Sequence, residues 1–549
     1  MKNFEINQFR KQFPLLSKRV NQQPLVYFDN GATTQKPQSV IDAQSDFYCS
    51  SNANVHRATH QLASVATTKF EQARVQVQKF INATQTKEII WTKGCTEGIN
   101  LVAQSWGKSH LNPKDVIVLS YAEHHANIVP WQIIAEQTGA EIKVLPLSSQ
   151  GIISKEVLTH IISERTKIVC VNHVSNVIGK VNPIESVITR AKEVGAKTLI
   201  DGAQAIANII VDVQALDCDF YVFSAHKMYG PTGIGVLYGK EEILNAMPPY
   251  QSGGEMINKV SFSGTSFQSL PYKFEAGTPN IAGVIAFAKA IEFISQYQLN
   301  DRHEYKQELL EYAFKRLQTI PSIEFIVEGK PDIPLFSFTL KYHYQDVASY
   351  LDLSGVAARV GGHCAMPLFE YIGIKGCIRL SLAPYNTYDE IDFVVDKLTA
   401  LVSKTDEIIQ RNNVNENDNN DAQILIERFN QLKGWDTKHR ELMLLGKQLP
   451  RMSKSARNEQ SLIQGCESAA WLTYSIEQGR YCFQTDSDAK IIRGLLAVIL
   501  AAFNNKTSSE ILSFDIDHYF TQLGLLNHLS PTRGNGVLAI VKKITEVVT

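Results

Sequence analysis

A lysine and an aspartate each follow an apolar segment of the sequence. Lys227 comes directly after "DFYVFSAH", and Asp201 ends the segment "KTLID". Each residue alone has an ordinary explanation, because a lysine can be a surface cation and an aspartate can cap a helix. Together they match pyridoxal phosphate chemistry, in which a lysine attaches the cofactor and a carboxylate faces its ring nitrogen. The pair therefore predicts a pyridoxal phosphate enzyme.

A phosphate site is predicted from a second group of residues. The segment "WTKGCTEGINLVAQSW" has the order strand, glycine turn and helix, with Thr96 at or near the helix start. Free N–H groups and the helix dipole bind a dianion at such a position, although an ordinary capped helix gives the same pattern. Ser224 and His226 add a hydroxyl and an imidazole. His124, in "YAEHHANIVPW", is placed to stack on the cofactor ring.

Two cysteines stand out by their neighbours. Cys364 follows two glycines and a histidine in "RVGGHCAMPLF", a turn that can expose the thiol, with an imidazole that can favour the thiolate. Cys466 follows a glycine in "SLIQGCESAAWL", whereas Cys482 has the surroundings of an ordinary strand residue. A buried, inert thiol is the commoner role of a cysteine. The eight cysteines include no C-x-x-C pair, so free thiols are expected.

Short apolar segments alternate with helix-like stretches from residue 25 to about 240. The segments are "EIIWT", "DVIVLS", "EIKVLPL", "TKIVCVNHV", "KTLID" and "DFYVFS". Runs of this kind are typical of strands buried on both faces, and their alternation with helices predicts an α/β domain with a mostly parallel sheet. Ligands bind at the carboxyl ends of such strands, where Lys227 and Asp201 lie.

The rest of the chain predicts a smaller domain, a linker and a further domain. A helical stretch over about 283–319 and strands around 335–340 and 377–382 indicate a small α+β domain. We therefore expect a large domain over about 25–283 and a small domain over about 284–402 that includes the N-terminal segment. Residues 403–423 are rich in Asn, Asp and Glu and are predicted to be a flexible linker, and residues 424–549 to be a separate α+β domain.

Composition limits the possible functions. A chain of 549 residues is too long for one core, and its net charge of −1 gives no field that would recruit nucleic acid or a membrane surface. The N-terminus has no apolar leader region, and the apolar run "GLLAVILAAF" is too short to span a bilayer. We expect a soluble, cytoplasmic protein without a metal site, a nucleic-acid partner or a membrane partner.

Five motifs carry a resemblance to a known family. They are "EHHANIVPW", "DGAQ", "SAHKMYGPTGIGVLYG", "FEAGTPN" and "RVGGHCAMPLF". Residues 1–402 thereby resemble the fold-type I, class V pyridoxal phosphate enzymes, and within them the SUF-type (group II, SufS-like) cysteine desulfurases. The resemblance implies Lys227 as the cofactor-attaching residue, Asp201 opposite the ring nitrogen, His124 stacked on the ring and Cys364 as the sulfur nucleophile.

The same resemblance implies contacts to phosphate, ring and substrate. They are Thr96, Ser224 and His226 at the phosphate; Gln204 and Asn176 near the phenolic oxygen; Arg379 with Asn176 at the substrate carboxylate; and Thr278 from the second subunit of a homodimer. The sequence departs from the family where Cys95 replaces a hydroxyl residue and where Gly362 precedes His363 in place of a pair of histidines.

The C-terminal residues resemble a different family. "SLIQGCESAAWL", "DSDAKIIRGLLAVILAAF" and "LGLLNHLSPTRGNG" are similar to the SufE family of sulfur acceptors over residues 424–549. The resemblance implies that Cys466 is the accepting thiol. It also implies that the protein converts L-cysteine to L-alanine, forms a persulfide on Cys364, and passes the sulfur through Cys466 to SUF-type iron–sulfur scaffold proteins.

The sequence leaves alternatives to this function open. The same cofactor site could serve a selenocysteine lyase, for which Cys364 would be dispensable. The C-terminal domain could be only a docking module, with Cys466 inert. An aminotransferase is a weaker interpretation because it leaves Cys364 without a role.

Overall fold

The structure is a computed structural model, and it consists of two compact units. It describes residues 5–57, 59–297, 299–409, 422–432, 435–464, 468–525 and 531–549. The first unit contains Met1–Thr339 and Ser354–Thr399, and the second contains Leu340–Leu353 and Ala400–Thr549. The segment 340–353 therefore belongs to the second unit, although it lies within the part of the sequence expected to form the small domain.

The strands of the described residues are numbered in chain order. They are β1 (Arg19–Val20), β2 (Gln23–Pro24), β3 (Val26–Tyr27), β4 (Ile89–Thr92), β5 (Val116–Ser120), β6 (Glu141–Leu145), β7 (Thr166–Asn172), β8 (Lys197–Asp201), β9 (Phe220–Ser224), β10 (Gly235–Gly239), β11 (Ile257–Ser261), β12 (Gly264–Phe267), β13 (Glu324–Phe325), β14 (Leu335–Thr339), β15 (Val356–Ala357), β16 (Arg359–Gly361), β17 (Cys377–Ser381), β18 (Ala470–Glu477) and β19 (Arg480–Ser487).

The helices are numbered in the same way. They are α1 (Ile6–Lys11), α2 (Gln38–Ser50), α3 (Gln61–Phe80), α4 (Cys95–Val102), α5 (Lys108–His110), α6 (Val129–Thr138), α7 (Leu158–Ile161), α8 (Ile184–Glu193), α9 (Val213–Leu216), α10 (Glu241–Ala246), α11 (Ile281–Gln296), α12 (Leu299–Leu317), α13 (Tyr344–Leu353), α14 (Met366–Ile372), α15 (Tyr388–Ile409), α16 (Ala422–Gln431), α17 (Trp435–Gln448), α18 (Lys490–Phe503), α19 (Ser508–Leu512), α20 (Ile516–Leu523) and α21 (Pro531–Val548).

The first unit is built around a seven-stranded sheet of described residues, in the order β4-β10-β9-β8-β7-β5-β6. Strands β5 to β9 pair in parallel, and β10 is antiparallel to both of its neighbours. Every residue of β5 and β9 is buried, because these apolar strands are covered on both faces. The mostly parallel sheet predicted from the sequence is confirmed, and β10 is the antiparallel strand that the apolar pattern did not indicate.

The sheet brings the ends of four strands to one edge. Asp201 ends β8, and Ser224 ends β9 just before the short 3₁₀ turn Ala225–Lys227. His124 follows β5 closely, and α4 begins at Cys95 soon after β4. Since β4 runs in the same direction as β9, all these residues leave the sheet at its carboxyl edge, where α/β folds bind ligands.

A second, four-stranded antiparallel sheet lies in the first unit, in the order β13-β14-β17-β16. Strand β17 carries the buried Arg379, and β16 leads into the loop that contains Cys364. The helical stretch expected over about 283–319 is present as two helices, α11 and α12.

The second unit has its own core, and α18 runs through it. All but one of the residues of α18 are buried, including the whole of the apolar run noted in the sequence. The helix packs closely on α17, since a Cβ at Gly494 would lie 2.1 Å from the carbonyl oxygen of Leu442. The Asp346 carboxylate of α13 accepts hydrogen bonds from the N–H groups of Lys490 (3.2 Å) and Ile491 (3.1 Å), which caps the first turn.

The predicted linker is shorter in the structure than the sequence suggested. Helix α15 continues to Ile409 and α16 begins at Ala422, so both ends of the predicted linker 403–423 are helical; residues 410–421 lie outside the described residues. Within the described parts of the chain, no helix has the length and apolarity needed to cross a membrane, and no cluster of metal-binding side chains is found.

Candidate active site

A cavity of about 260 Å³ opens at the carboxyl edge of the main sheet. Most of the site residues predicted from the sequence line this cavity, although they lie far apart along the chain of the first unit. Its lining includes Thr96, His124, Asn176, Asp201, Gln204, Ser224, His226, Lys227, Cys364 and Arg379. Thr278 is exposed and does not line this cavity, and Cys466 lies outside the described residues.

Lys227 and Asp201 form the charged centre of the cavity. Burial lowers the pKa of Lys227, and the Asp201 carboxylate opposes this shift. A larger fraction of the lysine is therefore neutral than at an exposed position, and only a neutral amine can attack a carbonyl carbon or accept a proton. Asp201 Oδ1 accepts hydrogen bonds from the N–H of Ala203 (2.9 Å) and from the thiol of Cys95 (3.2 Å). Because no described residue hydrogen-bonds to Oδ2, that oxygen is left for a ring nitrogen.

Cys95, which stands where the family pattern has a hydroxyl residue, hydrogen-bonds to Asp201. Burial and the neighbouring Asp201 carboxylate raise the pKa of the Cys95 thiol well above its usual value, so the thiol stays protonated and donates to Oδ1. Its backbone N–H donates to Ser224 Oγ (2.8 Å). The thiol is therefore a hydrogen-bond donor beside the aspartate, as a hydroxyl group at this position could be.

We expect Cys95→Ser to bind pyridoxal phosphate about as well as the parent protein, and Cys95→Val to bind it about 3- to 10-fold more weakly. The factor corresponds to the loss of one ordinary hydrogen bond to the aspartate. Absorbance titration of the cofactor into the apoprotein measures both dissociation constants. Equal affinities for the serine and valine variants would show that the thiol contributes only volume.

His124 is held as one neutral tautomer. Its Nδ1 accepts a hydrogen bond from the N–H of Ala126 (3.0 Å), so the proton of the neutral ring is on Nε2. Burial, together with the nearby Lys227 and Arg379 charges, lowers the pKa of His124 to about 4, although Asp201 acts in the opposite direction. At neutral pH the ring is therefore an uncharged surface that also offers an Nε2–H donor to the cavity.

The first turn of α4 has free N–H groups at the predicted phosphate site. The N–H groups of Thr96 and Glu97 make no hydrogen bond within the described residues, as is usual at a helix start. Ser224 and His226 line the cavity beside them, and burial and Lys227 lower the pKa of His226 to about 4. Two unpaired N–H groups with a hydroxyl and an imidazole form a donor set that suits a phosphate group.

Two arginines of the smaller sheet, Arg359 and Arg379, line the cavity and share Asp29 as a partner. Arg379 donates from Nη1 to the carbonyl oxygen of Asn176 (2.8 Å) and from Nη2 to Asp29 (3.3 Å), while its buried Nε has no partner among the described residues. Arg359 makes a bidentate pair with the same Asp29, at 3.0 and 2.8 Å. The unpaired Nε of Arg379 is a buried donor that suits a carboxylate ligand.

Cys364 lies on an exposed turn with an unusual backbone. Both His363 (φ 47°) and Cys364 (φ 55°) adopt the left-handed conformation, which is uncommon for residues other than glycine. The exposed thiol agrees with the sequence-based expectation, but His363 does not act as expected. Its ring is buried with Nε2 3.2 Å from Cys377 Sγ, and burial and Arg379 lower its pKa to about 3, so it cannot favour a thiolate at Cys364.

The remaining predicted contacts are partly engaged by the protein itself. Gln204 donates from Nε2 to the carbonyl oxygen of Gly31 (2.7 Å), and Asn176 donates from Nδ2 to the carbonyl oxygen of His363 (2.8 Å). Each amide keeps a second N–H and its side-chain oxygen for a ligand. The seven cysteines among the described residues are all free thiols, and Cys482 lies in a strand as expected.

Sequence reasoning missed three charged residues that line the cavity or adjoin residues that do. Glu123 is fully buried directly before His124, and it accepts hydrogen bonds from Asn127 Nδ2 (2.8 Å) and from Asn172 Nδ2 (2.9 Å). Burial raises its pKa to about 8. Arg359 and Asp29 were also missed, although Arg359 begins the motif that contains Cys364; Asp29 is 330 residues away along the chain and has no local signal.

The residues of this cavity fit pyridoxal phosphate. They provide a lysine with a lowered pKa, a carboxylate oxygen left for the ring nitrogen, a neutral imidazole that can stack on the ring, and unpaired N–H groups for the phosphate. The chemistry that such a site supports is the cleavage of a bond at the Cα or Cβ of an amino acid, with Cys364 as an additional nucleophile at the cavity.

Comparison with known proteins supports this assignment. Residues 26–394 match the family model described as aminotransferase class-V, and residues 423–548 match the SufE model, described as an Fe-S metabolism associated domain. A Cronobacter sakazakii protein named cysteine desulfurase is 48% identical over 395 residues, which cover 72% of this chain and 97% of that protein.

Solved structures show the same relation. The crystal structure of the cysteine desulfurase CsdA from Escherichia coli, in its S-sulfonic acid form, aligns with a TM-score of 0.68 and 41% identity, covering 74% of this chain and 99% of that chain. The apo structure of a cysteine desulfurase from Thermococcus onnurineus NA1 aligns with a TM-score of 0.69 and 33% identity over 74% of this chain and 99% of that chain. The chain thus belongs to the class V aminotransferase family of pyridoxal phosphate enzymes and carries a SufE-family domain over residues 423–548.

Proposed function

We propose that the protein is a cysteine desulfurase joined to its own sulfur acceptor. It converts L-cysteine to L-alanine, holds the sulfur as a persulfide on Cys364 and passes it to Cys466, in the cytoplasm, for iron–sulfur cluster assembly by SUF-type scaffold proteins. The observation that carries the proposal is the exposed thiol of Cys364 at the cavity that also contains Lys227 and Asp201. An aminotransferase needs Lys227 and Asp201 but has no use for the thiol of Cys364.

The residues of the cavity have separate tasks in the proposed reaction. Arg379 binds the substrate carboxylate through its unpaired Nε, and the neutral amine of Lys227 removes the Cα proton. Bound pyridoxal phosphate is the electron sink for the charge that develops at Cα. The Nε2–H of the neutral His124 ring is available to donate a hydrogen bond to the bound substrate.

The sulfur step conserves atoms and electrons. The Cys364 thiolate forms an S–S bond with the substrate Sγ, the Cβ–Sγ bond breaks, and its electron pair stays on the carbon side. A proton equivalent to that of the Cys364 thiol ends on Cβ, which becomes the methyl group of L-alanine. Cys466 then attacks the outer sulfur of the Cys364 persulfide, which regenerates the Cys364 thiol and leaves the persulfide on Cys466.

The proposal includes a homodimer in which Thr278 enters the partner's cavity. The exposure of Thr278 and its absence from the lining of its own cavity support this arrangement. Sedimentation of the holoprotein measures the subunit number, and a monomer would remove this part of the proposal.

Persulfide mapping by mass spectrometry after a pulse of L-cysteine tests the transfer between the two thiols. We expect persulfide on Cys364 and Cys466 in the parent protein, and on Cys364 alone in Cys466→Ala. The partly exposed Cys482 of β19 is the matched control, because Cys482→Ala removes a thiol from the same domain and should leave the map unchanged.

Two results would contradict the proposed transfer. A parent protein that carries persulfide on Cys364 but none on Cys466 would make the SufE-family domain a docking module. Alanine turnover in the presence of a reductant and without another acceptor should be slower in Cys466→Ala than in Cys482→Ala; equal rates would show that internal transfer does not contribute to turnover.

A further inference from the structure

The loop that carries Cys364 needs support from outside itself. Its backbone passes through two successive left-handed residues, His363 and Cys364, between β16 and α14. Neither has the conformational freedom of glycine, and such residues persist only where their surroundings hold them. The loop provides one hydrogen bond of its own, from the N–H of Ala365 to the carbonyl oxygen of Gly362 (2.8 Å).

His125 contacts this loop at two points. Its backbone N–H donates to the carbonyl oxygen of Cys364 at 2.7 Å, and its ring Nε2 accepts the N–H of Met366 at 2.9 Å. The two bonds lie on either side of Ala365 and fix the chain immediately after the reactive thiol. Burial lowers the pKa of His125, which favours the neutral ring that can accept a hydrogen bond.

The bond from the Met366 N–H to His125 Nε2 satisfies a free N–H group at the start of α14. The first N–H of a helix has no partner within the helix, and the N-cap residue Ala365 has no side chain that could accept it. Pro367 follows Met366 and has no N–H. The imidazole of His125 therefore replaces the missing cap from a segment that is distant in sequence.

The neighbouring side chains of this histidine pair serve different parts of the site. His124 lines the cofactor cavity with its ring, while His125 reaches the Cys364 loop. The carbonyl oxygen of His363 is held by Asn176 Nδ2, which also borders the cavity. The loop is thus tied on both sides to residues that line or adjoin the cofactor site.

We propose that His125 is a positioning residue for sulfur transfer, which holds the Cys364 loop in register with the cofactor cavity by capping α14 and binding the Cys364 carbonyl. The inference rests on the proposed role of Cys364 as the sulfur carrier. It concerns the step in which Cys364 meets the substrate sulfur, and it leaves cofactor binding to the other residues.

The test compares three replacements of His125 in the holoprotein. Glutamine places Oε1 three bonds from Cβ, as Nε2 is in histidine, so His125→Gln keeps the acceptor for Met366. His125→Asn is polar but one bond shorter, and His125→Ala has no acceptor. The readouts are amide hydrogen exchange of peptides spanning residues 361–368, kcat and KM for alanine formation, and the visible absorbance of the bound cofactor.

In His125→Ala and His125→Asn we expect exchange at 361–368 to be about 3- to 10-fold faster, the factor for losing one hydrogen bond. The kcat should fall on the order of 10- to 100-fold because the nucleophile is misplaced, with KM within about twofold and the cofactor absorbance retained. His125→Gln should restore exchange and kcat to within about threefold of the parent protein.

The inference is overturned by unchanged exchange in His125→Ala, by faster exchange with unchanged kcat, or by a glutamine variant as impaired as the alanine variant. Loss of the cofactor absorbance would also overturn it, since His125 would then support the cofactor. Failure of the proposed function is detected by a separate experiment. If Cys364→Ser still formed alanine, Cys364 would not be the sulfur carrier, and the hydrogen exchange measured in the His125 variants would be unaffected by that result.

Discussion

Replacing Cys364 by serine is expected to lower alanine formation from L-cysteine by about 1000-fold or more, while the bound cofactor keeps its visible absorbance. Serine has nearly the same shape but no sulfur nucleophile, and removal of a nucleophile causes losses of this order. The thiol is exposed and the four loop hydrogen bonds use backbone groups of residues 362–366, so serine can take its place without disturbing the fold. Steady-state alanine assays and an absorbance spectrum measure the two effects.

Cys49 offers a matched control for this experiment. It is also exposed and free, but it lies in α2 and does not line the cavity, so Cys49→Ser should have parental activity. If Cys364→Ser retained more than about a tenth of the parental rate, a persulfide on Cys364 would not be an obligatory step. The selenocysteine lyase alternative would then become the better explanation of the site, because it uses the cofactor without this thiol.

The fold was largely predictable because its buried strands are continuous apolar runs. Such runs indicate parallel strands regardless of what packs on them, and β5, β7, β8 and β9 are all found where they were expected. Strand β10 was missed because its terminal residues, Gly235 and Gly239, resemble a turn, yet all of its residues are buried. The break between α11 and α12 was missed because no glycine or proline marks it.

The site was predictable in its members but not in its internal contacts. Residue type and strand ends identify Lys227 and Asp201, since their chemistry requires them at that edge. No local pattern shows that His363 points to Cys377 while His125 points to Met366, because the direction of each ring depends on chain segments that are far apart in sequence. For the same reason, no local pattern in the sequence predicts that Arg359 and Arg379 share Asp29 as a partner.

Replacing Lys227 by alanine is expected to abolish covalent attachment of the cofactor and to lower the rate on L-cysteine by about 1000-fold or more. The variant loses both the attaching amine and the base for the Cα proton, which alone contributes about 10²- to 10⁴-fold. Reduction with borohydride followed by peptide mapping detects the covalent link, and alanine formation gives the rate. Lys227→Arg is the matched variant, because it keeps a cation beside Asp201 but has no neutral amine, so it should be equally inactive.

A small primary amine added to Lys227→Ala separates the role of base from a structural role. Methylamine should raise the rate of the alanine variant about 10-fold or more, and should not help Lys227→Arg, in which the guanidinium fills the space. The pH dependence of the rate reports the direction of the pKa shift. Burial lowers the pKa of Lys227, so the parental rate should reach its plateau at a lower pH than the rescued rate. The rescued rate follows a free amine, whose pKa is about 10. Rescue that reaches its plateau at the same pH as the parent would contradict a lowered pKa at Lys227, and an alanine variant with more than about a tenth of the parental rate would contradict its role as the base.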